Sequence, residues 1–157
     1  MLQQKHPGIN SLRDVTPEQL AASQSLLPPV IYRRCRHIVT ENARVLASSL
    51  ALRRSDLAQF GKLMYESHAS LREDYEVSCP ELDLMVAIAS NLRGVVGARM
   101  TGGGFGGCTI SLVENSAVEQ FRNTVAHEYQ LKTGITPQIY VTTASGGASE
   151  IPCGGIN

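Results

Sequence analysis

No sign of charge predominates in this 157-residue chain: 14 Lys and Arg balance 14 Asp and Glu. The balance leaves no basic field for nucleic acid or an anionic membrane surface, and no acidic tail for a basic partner. Cysteine is scarce and scattered. Cys35, Cys79, Cys108 and Cys153 make no C-x-x-C and have no nearby His at zinc-finger spacing. That pattern offers no metal-ligand set and points to reduced thiols in a cytoplasmic protein. No apolar run approaches the length of a membrane span. Residues 1–10 mix Gln, Lys, His, Pro and Gly, unlike a signal peptide. Internal repeats and long low-complexity linkers are absent as well, and the length suits one domain with a sizeable core.

What is present begins with helix signals. Thr16-Pro17-Glu18-Gln19 supplies a cap, a first-turn proline and the fourth residue of a capping box, so a short helix is expected from there to about Leu27. From Val30 to Leu52 the pattern is helical: Val39, Ala43, Leu46 and Leu50 step by four, three and four, beside Ile31, Cys35 and Ile38. Within it, the basic run Arg33, Arg34, Arg36 and His37 reads as a solvated helix face. Ser55 is the expected cap of a second long helix, whose apolar face carries Leu57, Phe60, Met64, Leu71 and Tyr75, with His68 on the same side. Ser78-Cys79-Pro80-Glu81 reads as a capping box opening a third helix with Leu82, Met85, Val86 and Ala89 inward. Ser116 and Glu119 form another such box, before a helix that stops at Gly134.

Between these helices lies the run Arg-Met-Thr-Gly-Gly-Gly-Phe-Gly-Gly, Arg99 to Gly107, with five glycines among the last six residues. Val95–Met100 and Cys108–Val113 flank it as β-type sequence, Cys108, Ile110 and Leu112 alternating with Thr109 and Ser111. Pro137–Thr142 reads as a final strand and the Gly- and Ser-rich stretch from Thr143 as a frayed tail. The order helix, strand, loop, strand, helix, strand predicts a ferredoxin-like βαββαβ unit lacking its first strand. With the helical first half, the fold class is α+β: residues 1–14 a lead-in, 15–142 the domain, 143–157 a flexible tail.

Gly102, Gly104 and Gly107 satisfy G-x-G-x-x-G. A dinucleotide fingerprint needs a helix to open after the loop, so that its N-terminus meets the pyrophosphate, and here a strand follows. A Walker A loop needs Lys then Ser or Thr after the last glycine, where Cys108 and Thr109 stand. A hairpin connection with no ligand is the remaining reading that the residues alone allow.

The stretch Gly97 to Thr109, however, closely resembles the third signature of the galactokinases, members of the GHMP small-molecule kinase superfamily. Three further blocks resemble galactokinase segments in the same order: Ser11-Leu12-Arg13-Asp14-Val15-Thr16, Arg36-His37-Ile38-Val39-Thr40-Glu41-Asn42, and the run from Ser67 to Asp83. Together they cover about residues 11–142. Nothing here matches the family's first signature, which contacts galactose, or its second, the Ser-rich loop around the nucleotide phosphates. The catalytic Asp and its Arg belong to that same portion, so the resemblance implies no catalytic or galactose-binding residue in this chain.

It does imply a fold, that of the GHMP kinase C-terminal domain, and a reaction: the anomeric hydroxyl of galactose attacks the γ-phosphate of ATP, with Mg2+, both held mainly by an N-terminal half. In that setting Thr101, Gly102, Gly103, Gly104, Phe105, Gly106 and Gly107 would support the nucleotide phosphate loop by close backbone approach. Arg99 is a candidate for the phosphates, although alternation along its strand equally permits a solvent-facing position. Phe105 is either an anchor between domains or a lid on the loop. His68 reads as a hydrogen-bonded core or interface residue and is a further candidate contact. Glu73 and Asp74, adjacent and pointing apart, read as solvated charges at a helix end. Two functions follow: the C-terminal part of a galactokinase, inactive without the N-terminal half, or a non-catalytic interaction module or gene remnant that docks on a separate N-terminal domain.

Overall fold

The computed structural model describes residues 2–148. Its elements run α1 (Leu2–Lys5), a 3-10 turn (Leu12–Asp14), α2 (Pro17–Ala21), a second 3-10 turn (Gln24–Leu26), α3 (Pro29–Arg53), α4 (Leu57–Ser70), a π-turn (Leu71–Tyr75), α5 (Pro80–Ser90), β1 (Val95–Thr101), β2 (Cys108–Val113), a third 3-10 turn (Asn115–Ala117) and α6 (Val118–Thr133). A helical first half precedes a two-stranded antiparallel sheet backed by helices, the expected α+β arrangement.

Local signals account for most element starts. Thr16 accepts from the Gln19 N–H at 3.2 Å while the Gln19 side chain accepts from the Thr16 N–H at 2.9 Å, the reciprocal box expected at α2. That helix ends at Ala21, short of Leu27, because the buried Ser23 hydroxyl donates to the Gln19 carbonyl at 2.8 Å and competes with the next helical turn. The α4 cap is Asp56, not Ser55. Asp56 Oδ1 accepts from the Gln59 N–H at 3.0 Å, and Ser55 turns the corner at φ 55°. A carboxylate also suits the positive end of the helix dipole. At α5 the cap is Cys79, because the Ser78 hydroxyl is drawn to Asp83 Oδ1 at 2.5 Å. Ser116 caps nothing: residues 115–117 form the 3-10 turn that leads into α6. Gly134 closes α6 in the left-handed conformation, φ 75°.

Among the described residues, three apolar clusters hold the elements together. Ile9, Val15 and Leu20 pack on Val39, fastening the lead-in to the first half of α3. Val86 and Ala89 of α5 meet Ala98 of β1, and Ile88 meets Val125 and Tyr129 of α6. The α3 stripe is buried only at its start. Val39 is 2% exposed but Leu46 is 74% exposed, and Ala43 and Leu50 are also exposed, because the lead-in covers only the first half of that helix.

The strands pair in register Ala98↔Ser111, Arg99↔Ile110 and Met100↔Thr109, with an irregularity at Val95/Gly97. Ala98 and Met100 are fully buried, whereas Ile110 on β2 is 53% exposed. Residues 137–142 do not form the expected strand, and the sheet has two strands among the described residues. A strand persists only through ladder bonds, and in a βαββαβ unit the last strand pairs with the first, which has no counterpart among the described residues. Ile139 packs against the Ile88–Val125–Tyr129 cluster instead. Residues 143–148 lack regular structure; the rest of the predicted tail, with Cys153, lies outside the described residues. Among the described residues, no helix is long and apolar enough to cross a membrane.

Candidate functional site

The glycine loop, residues 102–107, joins β1 to β2 at the end of the hairpin. Gly102, Gly104, Phe105 and Gly106 all have positive φ (77°, 84°, 57° and 105°), a run of left-handed backbone that glycine tolerates and Phe105 must be held in. What holds it is the Val77 carbonyl, which accepts from the Phe105 N–H at 2.9 Å. Gly104 lies against the same carbonyl, so close that a side chain there would put its Cβ 3.0 Å from the Val77 carbonyl carbon and closer still to the oxygen. Gly102, Gly103 and Gly106 have open space where a Cβ would stand. The loop is thus fastened on one side and bare on the other. Phe105 is 76% exposed, so it does not cover the loop as a lid.

Val77 is placed by the turn before it. The π-turn ends at Glu76, left-handed at φ 58°, whose carboxylate pairs with Arg33 (2.6 Å) and Arg34 of α3. Arg34 also donates to the Asp74 carbonyl, and Arg36 pairs with the Asp74 carboxylate. Asp74 is 7% exposed. The basic run is therefore the seam between α3 and the π-turn, not a solvated face. Asp74 likewise is not a solvated charge: the wider π-turn rotates it inward onto Arg36 and Ser70, leaving Glu73 outside with Arg72. His37 completes the seam, buried, stacked on Tyr75 with centroids 4.6 Å apart and bonded through Nδ1 to Ser70 Oγ at 3.0 Å.

Arg99 is tied within its own domain, with its side chain 32% exposed. Its Nη1 lies 3.3 Å from Glu41 Oε1, and its Nε donates to the Met100 carbonyl at 2.9 Å. Glu41 also accepts from Ser67 Oγ at 2.6 Å and from Arg44 Nε at 2.8 Å. Burial alone would raise the Glu41 carboxyl; hydrogen bonds from Ser67 and Arg44 and the two guanidinium charges outweigh it, and the net shift is downward. His68 is 4% exposed and contacts the loop's entry from inside: its Nδ1 accepts from the Met100 N–H at 3.2 Å. A wide groove of about 1520 Å³ opens beside these residues, lined by Arg44, Arg99, Phe105 and Ile110 among others.

Glu41, Val77 and Asp83 escape a reading of local patterns because each acts on residues distant in sequence. The available signals were a lone carboxylate on the buried side of α3 and a Val-Ser pair just before a proline-started helix.

Burial pushes the imidazoles of His37 and His68 below their ordinary value of 6.5; the nearby carboxylates of Glu41 and Asp83 respectively work upward without reversing the shift. Because each ring resists protonation when folded, the unfolded chain binds protons first as the pH falls. Stability is therefore complete above 6.5 and is expected to decline below it. Thermal unfolding followed from about pH 7.5 to about 5 checks this: a flat Tm across that window contradicts two buried neutral rings.

A family profile described as "GHMP kinases C terminal" matches residues 49–131, from the end of α3 through most of α6. A galactokinase of Roseiflexus sp. (strain RS-1) is 53% identical over 150 residues, covering 96% of this chain and 38% of that protein. The Homo sapiens galactokinase is 48% identical over 141 residues, covering 90% of this chain and 35% of that protein. A crystal structure of Lactococcus lactis galactokinase complexed with galactose superposes with a TM-score of 0.82 at 40% identity, over 86% of this chain and 35% of that one. The chain spans less than two fifths of the length of these relatives. With the hairpin, its glycine loop and helices α4 and α5 all inside the matched region, the chain belongs to the GHMP kinase family through that family's C-terminal domain.

Proposed function

We propose that the chain serves as the C-terminal domain of a cytoplasmic galactokinase, residues 15–142, and contributes its glycine loop to ATP-dependent phosphorylation of galactose at C1. The observation that carries this reading is the loop's two-sidedness: Gly104 and Phe105 are fastened to Val77, while Gly102, Gly103 and Gly106 present bare backbone outward. Bare backbone suits close approach to a phosphate-binding loop, where positioning supplies most of the catalysis in phosphoryl transfer. ATP fits this role. Mg2+ would be held mainly by the N-terminal half, bound with the nucleotide phosphates. Galactose and the catalytic Asp–Arg pair likewise belong to an N-terminal half carrying the first two signatures. In this reading the 157-residue chain alone is inactive.

One observation also favours a docking role in its own right. Exposed apolar residues, among them Val45, Leu52, Phe105 and Ile110, surround the groove. An N-terminal half is the partner this face would meet, with Phe105 as an anchor between the domains.

Galactose and Mg-ATP added to the purified chain are expected to give no galactose 1-phosphate. Addition of an N-terminal galactokinase half is expected to restore turnover and to raise the Tm of the chain. Turnover by the chain alone would overturn the division of labour. Binding to the N-terminal half without turnover would leave the interaction-module reading standing in place of the enzyme.

A further inference from the structure

The glycine loop is held at two points that converge on one dipeptide. Val77 holds its middle directly, through the Phe105 N–H at 2.9 Å. Ser78 reaches its entry through two side chains. The Ser78 hydroxyl donates to Asp83 Oδ1 at 2.5 Å, and the same oxygen lies 3.2 Å from His68 Nε2. On the far side of the ring, Nδ1 accepts from the Met100 N–H, two residues before the first loop glycine. A backbone N–H can only donate, so the lone pair must sit on Nδ1 and the ring proton on Nε2, facing Asp83. The Nε2–Asp83 contact falls short of a full hydrogen bond and acts as an electrostatic tether that favours the same tautomer. At 4% exposure the ring touches no ligand, so any effect on chemistry passes through the backbone.

We propose that His68 is a positioning residue for the phosphoryl-transfer site: through the Met100 N–H it holds the loop's entry in register with the Val77 contact at the loop's middle, while Asp83 and Ser78 fix the ring in the required orientation. The link to phosphoryl transfer rests on the kinase reading above; the clamp itself is measurable without substrate.

Packing and clamping separate by substitution. His68→Leu fills comparable volume but leaves the buried Met100 N–H without an acceptor. His68→Asn places a carbonyl oxygen near the position of Nδ1 and restores that acceptor, although it cannot reach Asp83. Amide hydrogen exchange at Met100 and Phe105 in the full chain is expected to be about tenfold faster or more in His68→Leu than in His68→Asn, with Val39 in the distant α3 core unchanged. Nitrogen NMR of the unmodified chain above pH 6.5 is expected to find the proton on Nε2 and none on Nδ1. A proton on Nδ1 overturns the proposal, as does equal exchange in the two variants. Should His68→Leu fail to fold, Asp83→Ala replaces it, with faster Met100 exchange expected as the ring loses its orientation; unchanged Met100 exchange there also overturns it. With an N-terminal half added, His68→Leu is expected to lower kcat about tenfold and leave the KM for galactose unchanged, with recovery in His68→Asn. Failure of the unmodified mixture to turn over counts against the kinase reading alone, since the exchange and NMR results stand without it.

Discussion

Gly61→Ala is expected to destabilise the chain by roughly 3 kcal/mol or more, although alanine in place of a helix-interior glycine ordinarily gains about 1 kcal/mol. The ordinary gain comes from lower backbone entropy in the unfolded chain and applies only where the new methyl has room. Here it has none. A Cβ at Gly61 would stand 2.6 Å from the Val96 carbonyl carbon and 2.9 Å from Val96 Cγ1, nearer still to the carbonyl oxygen. The approach is mutual, for a Cβ at Gly97 would lie 2.5 Å from Gly61 Cα and 2.8 Å from the Gly61 carbonyl oxygen. Both obstacles are backbone, one in a helix and one in a strand, so relief requires α4 to lift from β1 as a unit. That displacement would carry away Met64, Ser67 and His68, which share the helix. Overpacking into backbone therefore outweighs the propensity gain. A Tm lower by roughly 10 °C is the expected readout for a chain of this size. An unchanged or raised Tm would mean that α4 is not seated on β1.

That glycine also marks what the sequence made legible. An isolated glycine inside a helical pattern is a recognised sign of close packing, but the pattern does not name its partner, and Val96 and Gly97 lie 35 or more residues away. Features written in neighbouring residues were readable: the Thr16–Gln19 box, the length of α3, the hairpin around the glycine run and the Gly134 cap. Features decided at a distance were not. Ser78 satisfies the spacing of a capping box, yet Asp83 outcompetes the helix end for its hydroxyl. Arg33, Arg34 and Arg36 look like a solvated run until the π-turn brings Glu76 and Asp74 against them, and a π-turn has no local signature to announce that extra rotation. The final strand failed for the same reason: Pro137–Thr142 has strand composition, and composition does not supply a partner. At the site the loop itself was plain, whereas its support by Val77, His68 and Asp83 was a tertiary fact.

The loop's two-sidedness yields the second large effect, a graded series along three neighbouring residues. Gly103→Ala is expected to change stability by less than about 0.5 kcal/mol, because its Cβ meets nothing and its φ is not positive. Gly102→Ala also meets nothing, but at φ 77° it pays for a left-handed alanine, roughly 1–2 kcal/mol. Gly104→Ala combines a φ of 84° with overlap against the Val77 carbonyl, and a loss of about 2–4 kcal/mol is expected. The alanine methyl would also push Met100 Cε, 2.9 Å away, and the carbonyl it displaces is the acceptor of the Phe105 N–H. Urea unfolding ranks the three variants, and amide exchange at Phe105 shows whether the anchor has opened. Equal stability of Gly103→Ala and Gly104→Ala would refute the Val77 contact. In the proposed enzyme the order reverses in meaning: Gly103→Ala leaves the fold intact and places a methyl on the bare side. A loss of turnover there without a loss of stability would locate the meeting of the two halves on that side of the loop.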